Sequence, residues 1–332
     1  MLYREAGVDI ERMNAVKKEI GRLVKQTFSP QVISEVGLFG SLFKLPRKRN
    51  PVLVASCDSV GTKVIIAREM GVFDTVGIDI VNHCVNDILT LGAQPLFFLD
   101  YIAHSDLSNE QLLYLIKGLT RACRQNECAL VGGETAMMPD IYRTGDFDLV
   151  GFIVGIVEQD CIIDAQRLKP GDLAIGIPSN GLHTNGYSLA RKVLFALNRL
   201  TVHSKVRGLK HPLGKELLRP HRSYYKLIYP ILDQVKALAH ITGGGFYDNI
   251  SRLLPPETSC IIKKSAWRPA PIFKLIQKLG SIPDEEMYRT FNMGIGMVLF
   301  VAPENGAKIL HRIPQSKIIG KIVRGTFGVT LI

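Results

Sequence analysis

Hydrophobic positions in the first half of the chain switch between runs typical of strands and spacings typical of helices. Short apolar runs bounded by turn residues predict four strands, at residues 51–57, 96–103, 128–133 and 148–158. A helical apolar period predicts an amphipathic helix from Ile10 to Phe28, with Asp9 as its N-cap, and a second helix across 108–126. Strands and helices therefore alternate, but the last two strands follow each other directly. This order favours a mixed sheet over a fully parallel one.

Residues 76–95 predict a further helix, ended by Gly92 and Pro95, whose polar side contains no Lys, Arg or Glu. At about 100° per residue, the apolar side of positions 78–91 comprises Ile80, Val81, Cys84, Val85, Ile88 and Leu91. The polar side comprises Asp79, Asn82, His83, Asn86, Asp87 and Thr90. These polar types are poorer helix formers than Lys or Glu, so solubility alone does not explain them. Their oxygens suit the Mg²⁺ of a nucleotide, and a short polar surface or a buried hydrogen-bonded network is the alternative.

A turn at residues 169–172, followed by a new apolar strand, indicates a domain boundary at about residues 160–170. We therefore expect two domains, 1–165 and 166–332, each a mixed β-sheet with helices in an α+β or mixed α/β fold. The second domain contains two polar loops that lead into helices, "NGLHTNGYS" and "HITGGGFYDNI", and a buried strand at "MGIGMVLFVA".

The composition is that of an ordinary globular protein, with 332 residues of which 46% are hydrophobic. Apolar runs are shorter than the roughly 18–20 residues of a membrane span, and the first thirteen residues are too charged for a signal peptide. The six cysteines lack the spacing of zinc ligands. We therefore expect a cytoplasmic protein with reduced cysteines and no membrane partner.

The net charge of +11 is unevenly distributed along the chain. Residues 52–158 hold 6 Lys and Arg against 14 Asp and Glu, a net charge of −8, whereas the remaining residues carry +19. Charge alone would fit a nucleic-acid-binding protein. However, the sequence has no basic motif with interleaved aromatic residues, so we expect no nucleic-acid partner.

Three acids follow or interrupt predicted strands, namely Asp58, Asp100 and Glu134. A carboxylate in a buried strand is costly unless it is paired or bound to a metal, so Asp100 needs a partner. A cap or turn carboxylate is the alternative for Asp58. Together with the polar helix face, these acids favour a site for Mg²⁺ and phosphate. The stretch "DSVGTK" (58–63) is not a P-loop, because it lacks the leading glycine and has Thr before Lys.

Two loops of the second half carry further candidate chemistry. The loop "TGGGF" (242–246) places three backbone amides before a helix, an arrangement that suits an anion. His183 and His240 lie in or beside these loops and are candidates for proton transfer. A purely structural role is the alternative for each histidine.

These motifs resemble the aminoimidazole ribonucleotide synthetase family, the phosphoribosylformylglycinamidine cyclo-ligases. The matching stretches run nearly end to end: "AGVDI" (6–10), "DSVGTK" (58–63), "VNDILTLGAQPLFFLDYIA" (85–103), "LVGGETAMMP" (130–139), "HTNGYSL" (183–189), "HITGGGFYDNI" (240–250) and "EMYRTFNMGIGM" (286–297). The motifs at 130–139 and 286–297 favour the cyclo-ligase over related families such as thiamine-monophosphate kinase, selenophosphate synthetase and formylglycinamidine ribonucleotide synthetase. The resemblance implies ATP-dependent ring closure of formylglycinamidine ribonucleotide to 5-aminoimidazole ribonucleotide.

The resemblance also implies the residues of the site. Catalytic roles fall to His183, His240 and Asp87. The implied Mg²⁺ ligands are Asp58, Asp87 and Glu134. ATP and phosphate groups are expected to contact Asp58, Gly61, Thr62, Lys63, Asp79, Asn86, Gly37, Gly40, Thr242, Gly243, Gly244 and Gly245. The family further implies a homodimer in which two N-terminal sheets form a barrel-like centre, a C-terminal domain that completes the active site, and K⁺ as a cation left open.

Overall fold

The computed structural model describes residues 10–332, with side chains described from Val16 onward, so the expected N-cap Asp9 lies outside the described residues. The chain divides into two compact units. The first comprises residues up to Ile88 together with Gln94–Gln159, and the second comprises Leu89–Ala93 and Asp160–Ile332. In the described part of the chain, no helix combines the length and apolar character needed to cross a membrane.

In the first unit, helices accompany a four-stranded sheet. The elements in chain order are α1 (Ile10–Lys25), β1 (Pro51–Ser59), α2 (Lys63–Met70), α3 (Asp74–Leu89), β2 (Gln94–His104), α4 (Asn109–Gln125), β3 (Ala129–Met137) and β4 (Phe147–Glu158). The strand order is β1-β4-β2-β3, with β4 antiparallel to both neighbours and β3 parallel to β2. This arrangement confirms the mixed sheet expected from the order of elements.

The two faces of this sheet differ in burial. Along β2, Phe98, Asp100 and Ile102 are buried, whereas the residues between them are half-buried. On the second face, Leu53 of β1 and Phe152 of β4 are 55% and 40% exposed. The helices therefore cover one face, and the other exposes apolar surface at β1 and β4.

Helix α3 packs against both the sheet and α4. A Cβ atom on Gly151 of β4 would lie 2.7 Å from Cγ1 of Ile80, so α3 rests directly on this strand. Gly77 of α3 and Gly118 of α4 have no room for a side chain, because the two helices touch there through their backbones. As a result, α3 has little contact with solvent on any side.

Helix α3 ends earlier than the sequence pattern predicted. Its last residue is Leu89, and the Gly92 amide donates to the Leu89 carbonyl at 2.9 Å, with a φ of +82° at Gly92. The assignment of Thr90 and Leu91 to the two faces of the helix was therefore wrong. Leu91 lies in this turn and is 41% exposed rather than buried.

In the second unit, a six-stranded mixed sheet has the order β10-β7-β9-β5-β8-β6. Within the described part of this sheet, β10 and β7 are parallel, and every other pair of neighbouring strands is antiparallel. Its elements are β5 (Leu173–Pro178), α5 (Tyr187–Arg191), α6 (Leu213–Leu217), α7 (Tyr225–Ile228), β6 (Ala237–His240), α8 (Gly245–Ser251), β7 (Thr258–Ile262), α9 (Pro271–Gly280), α10 (Asp284–Thr290), β8 (Ile295–Val301), α11 (Pro303–Arg312), β9 (Lys317–Arg324) and β10 (Gly328–Leu331). Every residue of β8 is buried, and β8 pairs with β6, which ends at the candidate residue His240.

Candidate active site

An acidic cluster lies in the first unit, where the end of β1 meets α3. His83 Nε2 is 2.9 Å from Asp58 Oδ2 and 3.6 Å from Asp87 Oδ2. The Ser56 hydroxyl donates a hydrogen bond of 3.2 Å to Asp87 Oδ2. The side chains of Asp58 and Asp87 are 41% and 28% exposed, so a ligand can reach both carboxylates from solvent.

The protonation of His83 depends on its carboxylate neighbours. Burial lowers the pKa of His83, but the hydrogen bond that His83 donates to Asp58 and the negative charges of Asp87, Asp58 and Asp79 raise it, and the net shift is upward. A proton on His83 therefore partly neutralises the carboxylates. A divalent cation bound to the same oxygens would serve the same purpose.

A buried ion pair lies beneath this cluster. Lys63 Nζ is 2.8 Å from Asp79 Oδ2, and neither side chain has any exposed surface. Burial lowers the pKa of Lys63, and the charge of Asp79 opposes that shift. Neither side chain reaches solvent in this structure, so the pair supports the acidic cluster from within, and direct contact of Lys63 or Asp79 with the nucleotide stays a prediction.

The rest of the polar face of α3 is also buried. Asn82 accepts a hydrogen bond of 2.7 Å from Asn126 Nδ2, and Asn86 has no exposed surface. The inner part of this face is thus a buried hydrogen-bonded network, one of the alternatives left open by the sequence. Only the end near Asp58 and Asp87 opens to solvent, and contact of Asn86 with a ligand stays a prediction, as it does for Lys63.

The segment after β1 forms a turn into α2. Gly61 has a φ of +65° and is exposed, which is the backbone conformation that glycine adopts without strain. Thr62 follows at the start of α2 and is half-buried. A cavity of about 340 Å³ opens beside this turn. Its lining includes Ser59, Gly61, Thr62, Arg68, Tyr142 and Asp148.

Glu134 does not join the acidic cluster. Gly151 of β4 pairs with Asp58 of β1 on one side and with Asp100 of β2 on the other, and Asp100 in turn pairs with Gly133 of β3. These four residues therefore form one row across the sheet and share its helix-covered face. Glu134 follows Gly133 and points to the opposite face, because side chains alternate along a strand. Asp58 and Glu134 also lie on the two edge strands. The structure therefore does not bring Glu134 together with Asp58 as a metal ligand.

Burial makes the carboxyl group of Asp100 harder to ionise. Burial raises the pKa of Asp100 to about 7, with a hydrogen bond to its own backbone acting in the opposite direction and the charge of Glu134 raising it further. Within residues 16–332, no ion pair to Asp100 is found. A carboxyl group with this pKa is partly protonated at neutral pH, which lowers the cost of burying Asp100 without a charged partner.

Gly37 and Gly40 lie in an exposed segment between α1 and β1. Neither residue has a neighbour within 4 Å of the position that a Cβ would occupy. The adjacent Ser41 hydroxyl donates a hydrogen bond of 2.5 Å to the Val131 carbonyl of β3. The structure therefore anchors this segment at β3 and leaves its glycines in solvent.

Three histidines meet in the second unit. His221 Nε2 and His240 Nε2 are 3.0 Å apart, and the imidazole of His183 stacks on that of His221 with 4.0 Å between ring centroids. Thr184 Oγ1 lies 3.3 Å from His221 Nδ1. All four side chains are buried. The structure thus places the two predicted histidines in one cluster, together with His221.

The backbone around the histidines is specialised. His183 has a φ of +64°, a conformation that non-glycine residues rarely adopt. Gly296 of β8 lies against the cluster, because a Cβ there would overlap the Tyr224 hydroxyl and lie 2.6 Å from His183 Cε1. Burial also raises the pKa of Tyr224, whose hydroxyl donates to the Pro178 carbonyl at 3.1 Å. The absence of a side chain at Gly296 gives these rings their space.

The glycine loop at residues 242–245 leads into helix α8 as expected, but a negatively charged side chain lies beside it. Gly244 and Gly245 have φ values of +86° and +58°, and the Gly245 amide donates to the Thr242 carbonyl at 3.0 Å. Gly243 is exposed and available for contact with a ligand. The carboxylate of Asp248 lies beside Gly244, where it disfavours an anion.

Sequence reasoning missed His221 and gave no specific role to His83. His83 precedes Asp87 by one helical turn, so the helix periodicity contained a signal for this pair. His221 is 19 residues from His240 and lies outside both polar loops, so no local pattern pointed to it.

Known proteins are similar to this chain along nearly its whole length. Two family models described as "AIR synthase related protein" match this chain. The N-terminal domain model matches residues 42–157, and the C-terminal domain model matches residues 169–332. The phosphoribosylformylglycinamidine cyclo-ligase of Syntrophotalea carbinolica is 49% identical, over 98% of this chain and 95% of that protein. The chain belongs to the AIR synthase family. The resemblance drawn from the sequence motifs to these cyclo-ligases is confirmed.

Solved structures show how widely this fold is shared. Thiamine-monophosphate kinase from Stenotrophomonas maltophilia has a TM-score of 0.68 and 16% identity, covering 93% of this chain and 94% of that chain. The hydrogenase maturation protein HypE in complex with ATP has a TM-score of 0.63 and 14% identity, covering 93% of this chain and 88% of that chain. Because both identities are low, these two similarities show only that the fold is shared.

Proposed function

We propose that the chain closes the imidazole ring of 5-aminoimidazole ribonucleotide from formylglycinamidine ribonucleotide, converting ATP to ADP and phosphate, in de novo purine biosynthesis. The observation that carries this proposal is the identity of 49% to a phosphoribosylformylglycinamidine cyclo-ligase along 98% of the chain. The acidic cluster of the first unit and the histidine cluster of the second supply the chemistry that the reaction needs.

Ring closure requires activation, because the formyl oxygen of the substrate is a poor leaving group. Transfer of the γ-phosphoryl group to this oxygen forms a new O–P bond and releases ADP. A substrate nitrogen then bonds to the formyl carbon and loses a proton, while the oxygen leaves as part of phosphate. The protein's contribution is positioning and charge neutralisation.

Asp58 and Asp87 are the residues that fit Mg²⁺ best. Their carboxylates approach the same His83 nitrogen and both remain open to solvent, which provides a pair of oxygen donors for a hard cation. When bound, Mg²⁺ would neutralise phosphate charge at this site. We leave Glu134 out of this donor set because it lies on the other face of the sheet. K⁺ stays a prediction that assays with and without K⁺ decide.

The exposed turn at Gly61 and Thr62 is our candidate for contact with ATP phosphates, since its backbone amides and hydroxyl lie beside the acidic cluster. The HypE structure with ATP agrees with a nucleotide site in this fold. Gly37, Gly40 and the glycine loop at 242–245 stay predicted contacts.

His240 is our first candidate for the group that removes the proton lost on ring closure, with His183 as the second. Both are imidazoles, which exchange protons near neutral pH. Both belong to one buried cluster, where a proton removed from substrate can be held by a ring nitrogen.

A homodimer is proposed on the open face of the first unit's sheet. Leu53 and Phe152 expose apolar surface there, and contact with a second copy would bury it. Sedimentation velocity at micromolar concentration tests this proposal: a dimer supports it, and a monomer that retains activity overturns it. We further propose a cytoplasmic location, in keeping with a biosynthetic enzyme.

The activity is tested by supplying purified protein with Mg-ATP and formylglycinamidine ribonucleotide and by measuring aminoimidazole ribonucleotide colorimetrically. We expect product that depends on both substrates and on Mg²⁺. A folded sample that yields ADP without product, or no turnover at all, overturns the proposed function.

A further inference from the structure

His221 is the least expected member of the histidine cluster. It lies between α6 and α7, and its side chain reaches His240 at the end of β6. The two residues are 1% and 6% exposed, so water competes little for their ring nitrogens. Both residues belong to the second unit, so the contact joins two segments of that unit.

The distance between the two Nε2 atoms fixes how protons are shared. At 3.0 Å, one nitrogen must carry a proton and the other must accept it, because two lone pairs would repel and two N–H groups would clash. The protonation of His240 Nε2 is thus coupled to that of His221 Nε2, because when one nitrogen carries the hydrogen the other accepts it. On the far side of His221, the Thr184 hydroxyl lies 3.3 Å from Nδ1 and can donate or accept.

Packing also prevents the His221 ring from turning away. The His183 ring stacks on it at an interplanar angle of 23°. His183 itself is held in a backbone conformation of positive φ and packs against Gly296. The ring of His221 is therefore held by a stacked neighbour and by hydrogen bonds at both nitrogens.

A metal ion is the main alternative explanation for three neighbouring histidines. Ligand nitrogens of His183, His221 and His240 do lie within 4.8 Å of one another. However, tetrahedral Zn²⁺ ligands at 2.0–2.1 Å would be about 3.3 Å apart, and their lone pairs would converge on one point. The stacked rings of His183 and His221 have nearly parallel planes, and the 3.0 Å contact already uses the His221 and His240 nitrogens that face each other. The geometry thus favours a hydrogen-bonded pair.

We propose that His221 is a positioning residue that holds the ring and the proton of His240 in the arrangement needed for proton transfer. The proposal rests on the proposed function, in which His240 accepts the proton lost on ring closure. In the Ser-His-Asp triad, a third group likewise orients a catalytic imidazole and selects its tautomer. Here the orienting group is a second imidazole, backed by Thr184.

Two variants separate the hydrogen bond from the packing. His221→Phe keeps a ring that stacks on His183 but removes both nitrogens, and His221→Gln keeps a side-chain amide near the position of Nε2. We expect His221→Phe to lower kcat at least tenfold, with KM for both substrates changed less than threefold, and His221→Gln to recover much of the loss. The exposed His203→Phe serves as the matched control and should leave kcat unchanged.

A double-mutant cycle tests whether His221 acts through His240. In the His240→Ala background, His221→Phe should cause little further loss, because residues that act as a unit are not additive. Equal losses in both backgrounds would overturn the proposal, as would a kcat for His221→Phe within threefold of the unchanged protein. A circular dichroism spectrum and thermal midpoint for each variant identify any loss that is due to misfolding.

A last measurement does not depend on activity, so it distinguishes failure of this inference from failure of the proposed function. The ¹⁵N chemical shifts of the His240 ring report which nitrogen carries the proton. We expect His221→Phe to change these shifts and His203→Phe to leave them unchanged. Unchanged shifts in His221→Phe, or elemental analysis that finds a stoichiometric metal lost in that variant, would overturn the hydrogen-bonded pair.

Discussion

Lys63 and Asp79 form a fully buried ion pair, with 2.8 Å between Nζ and Oδ2. The pair joins the start of α2 to α3 and lies under the acidic cluster. Burial costs both charges their hydration, so each depends on the other. The pair therefore fixes the position of the start of α2 against α3.

Removal of one partner should therefore destabilise the protein strongly. We expect Lys63→Met to lower the free energy of unfolding by about 3–5 kcal/mol, because Asp79 is left as an unpaired buried charge. The double variant Lys63→Met with Asp79→Leu should recover a large part of this loss. Urea denaturation measures both effects, and Arg22→Gln at the exposed pair with Glu19 is the control, which should leave the free energy of unfolding nearly unchanged. Equal stability of Lys63→Met and the unchanged protein would contradict the account.

Substitution of Asp87, by contrast, should lower activity and leave stability nearly unchanged. Its side chain is 28% exposed and its partners Ser56 and His83 stay close to other polar groups, so Asp87→Asn should change the thermal midpoint by only a few degrees. Affinity for Mg-ATP or turnover should fall about 100-fold or more, because one of two carboxylates is lost. Calorimetric titration and the product assay measure these effects, with the exposed Glu69→Gln as control. A collapse of stability in Asp87→Asn would assign Asp87 a structural role instead.

Asp100 predicts a pH dependence of stability. Its pKa of about 7 in the folded state lies above the reference value of 3.8, so the folded state keeps a proton that the unfolded state loses between these values. Stability from this group is therefore lost as pH rises from about 4 to 7 and levels off above that window. Asp100→Asn removes the effect and should stabilise the protein by up to about 4 kcal/mol at pH 8, with little change at pH 4.

Thermal unfolding at several pH values measures this difference for Asp100→Asn. The exposed Asp140→Asn is the matched control and should follow the unchanged protein at every pH. If Asp100→Asn is destabilised to the same extent at pH 4 and pH 8, the carboxyl group of Asp100 does not titrate as the structure indicates.

Gly296 predicts a steric effect on the histidine cluster. Alanine there would overlap the Tyr224 hydroxyl and press on the ring of His183. We expect Gly296→Ala to lower kcat at least tenfold and to cost about 1–3 kcal/mol of stability, as overpacking does. Gly21→Ala is the control, since the nearest atom to its Cβ is Val36 Cγ1 at 3.6 Å. Full activity of Gly296→Ala would show that the positions of these rings do not limit turnover.

Local patterns in the sequence predicted the four strands of the first unit and its helices α1, α3 and α4, but not α2. The helix expected across 108–126 occurs as α4, and Ser108 begins it with a capping box in which its hydroxyl accepts from the Gln111 amide at 3.1 Å. Strands were recognisable because their apolar runs were bounded by turns. These signals are local, so a single sequence contains them.

Contacts between distant residues could not be predicted in the same way. Periodicity identified the polar face of α3, but it could not show that Lys63 would bury itself against Asp79. It also could not place Asp58 and Glu134 on opposite faces of one sheet, because that depends on strand register. The contact between His221 and His240 depends on the tertiary fold in the same way.

In the proposed reaction, the substrate's formyl oxygen is phosphorylated before the ring closes. Formylglycinamidine ribonucleotide with ¹⁸O in its formyl group, incubated with Mg-ATP and the purified protein, tests this directly by mass spectrometry of the released phosphate. We expect one ¹⁸O atom in phosphate for each aminoimidazole ribonucleotide formed. Product formation with unlabelled phosphate would contradict it.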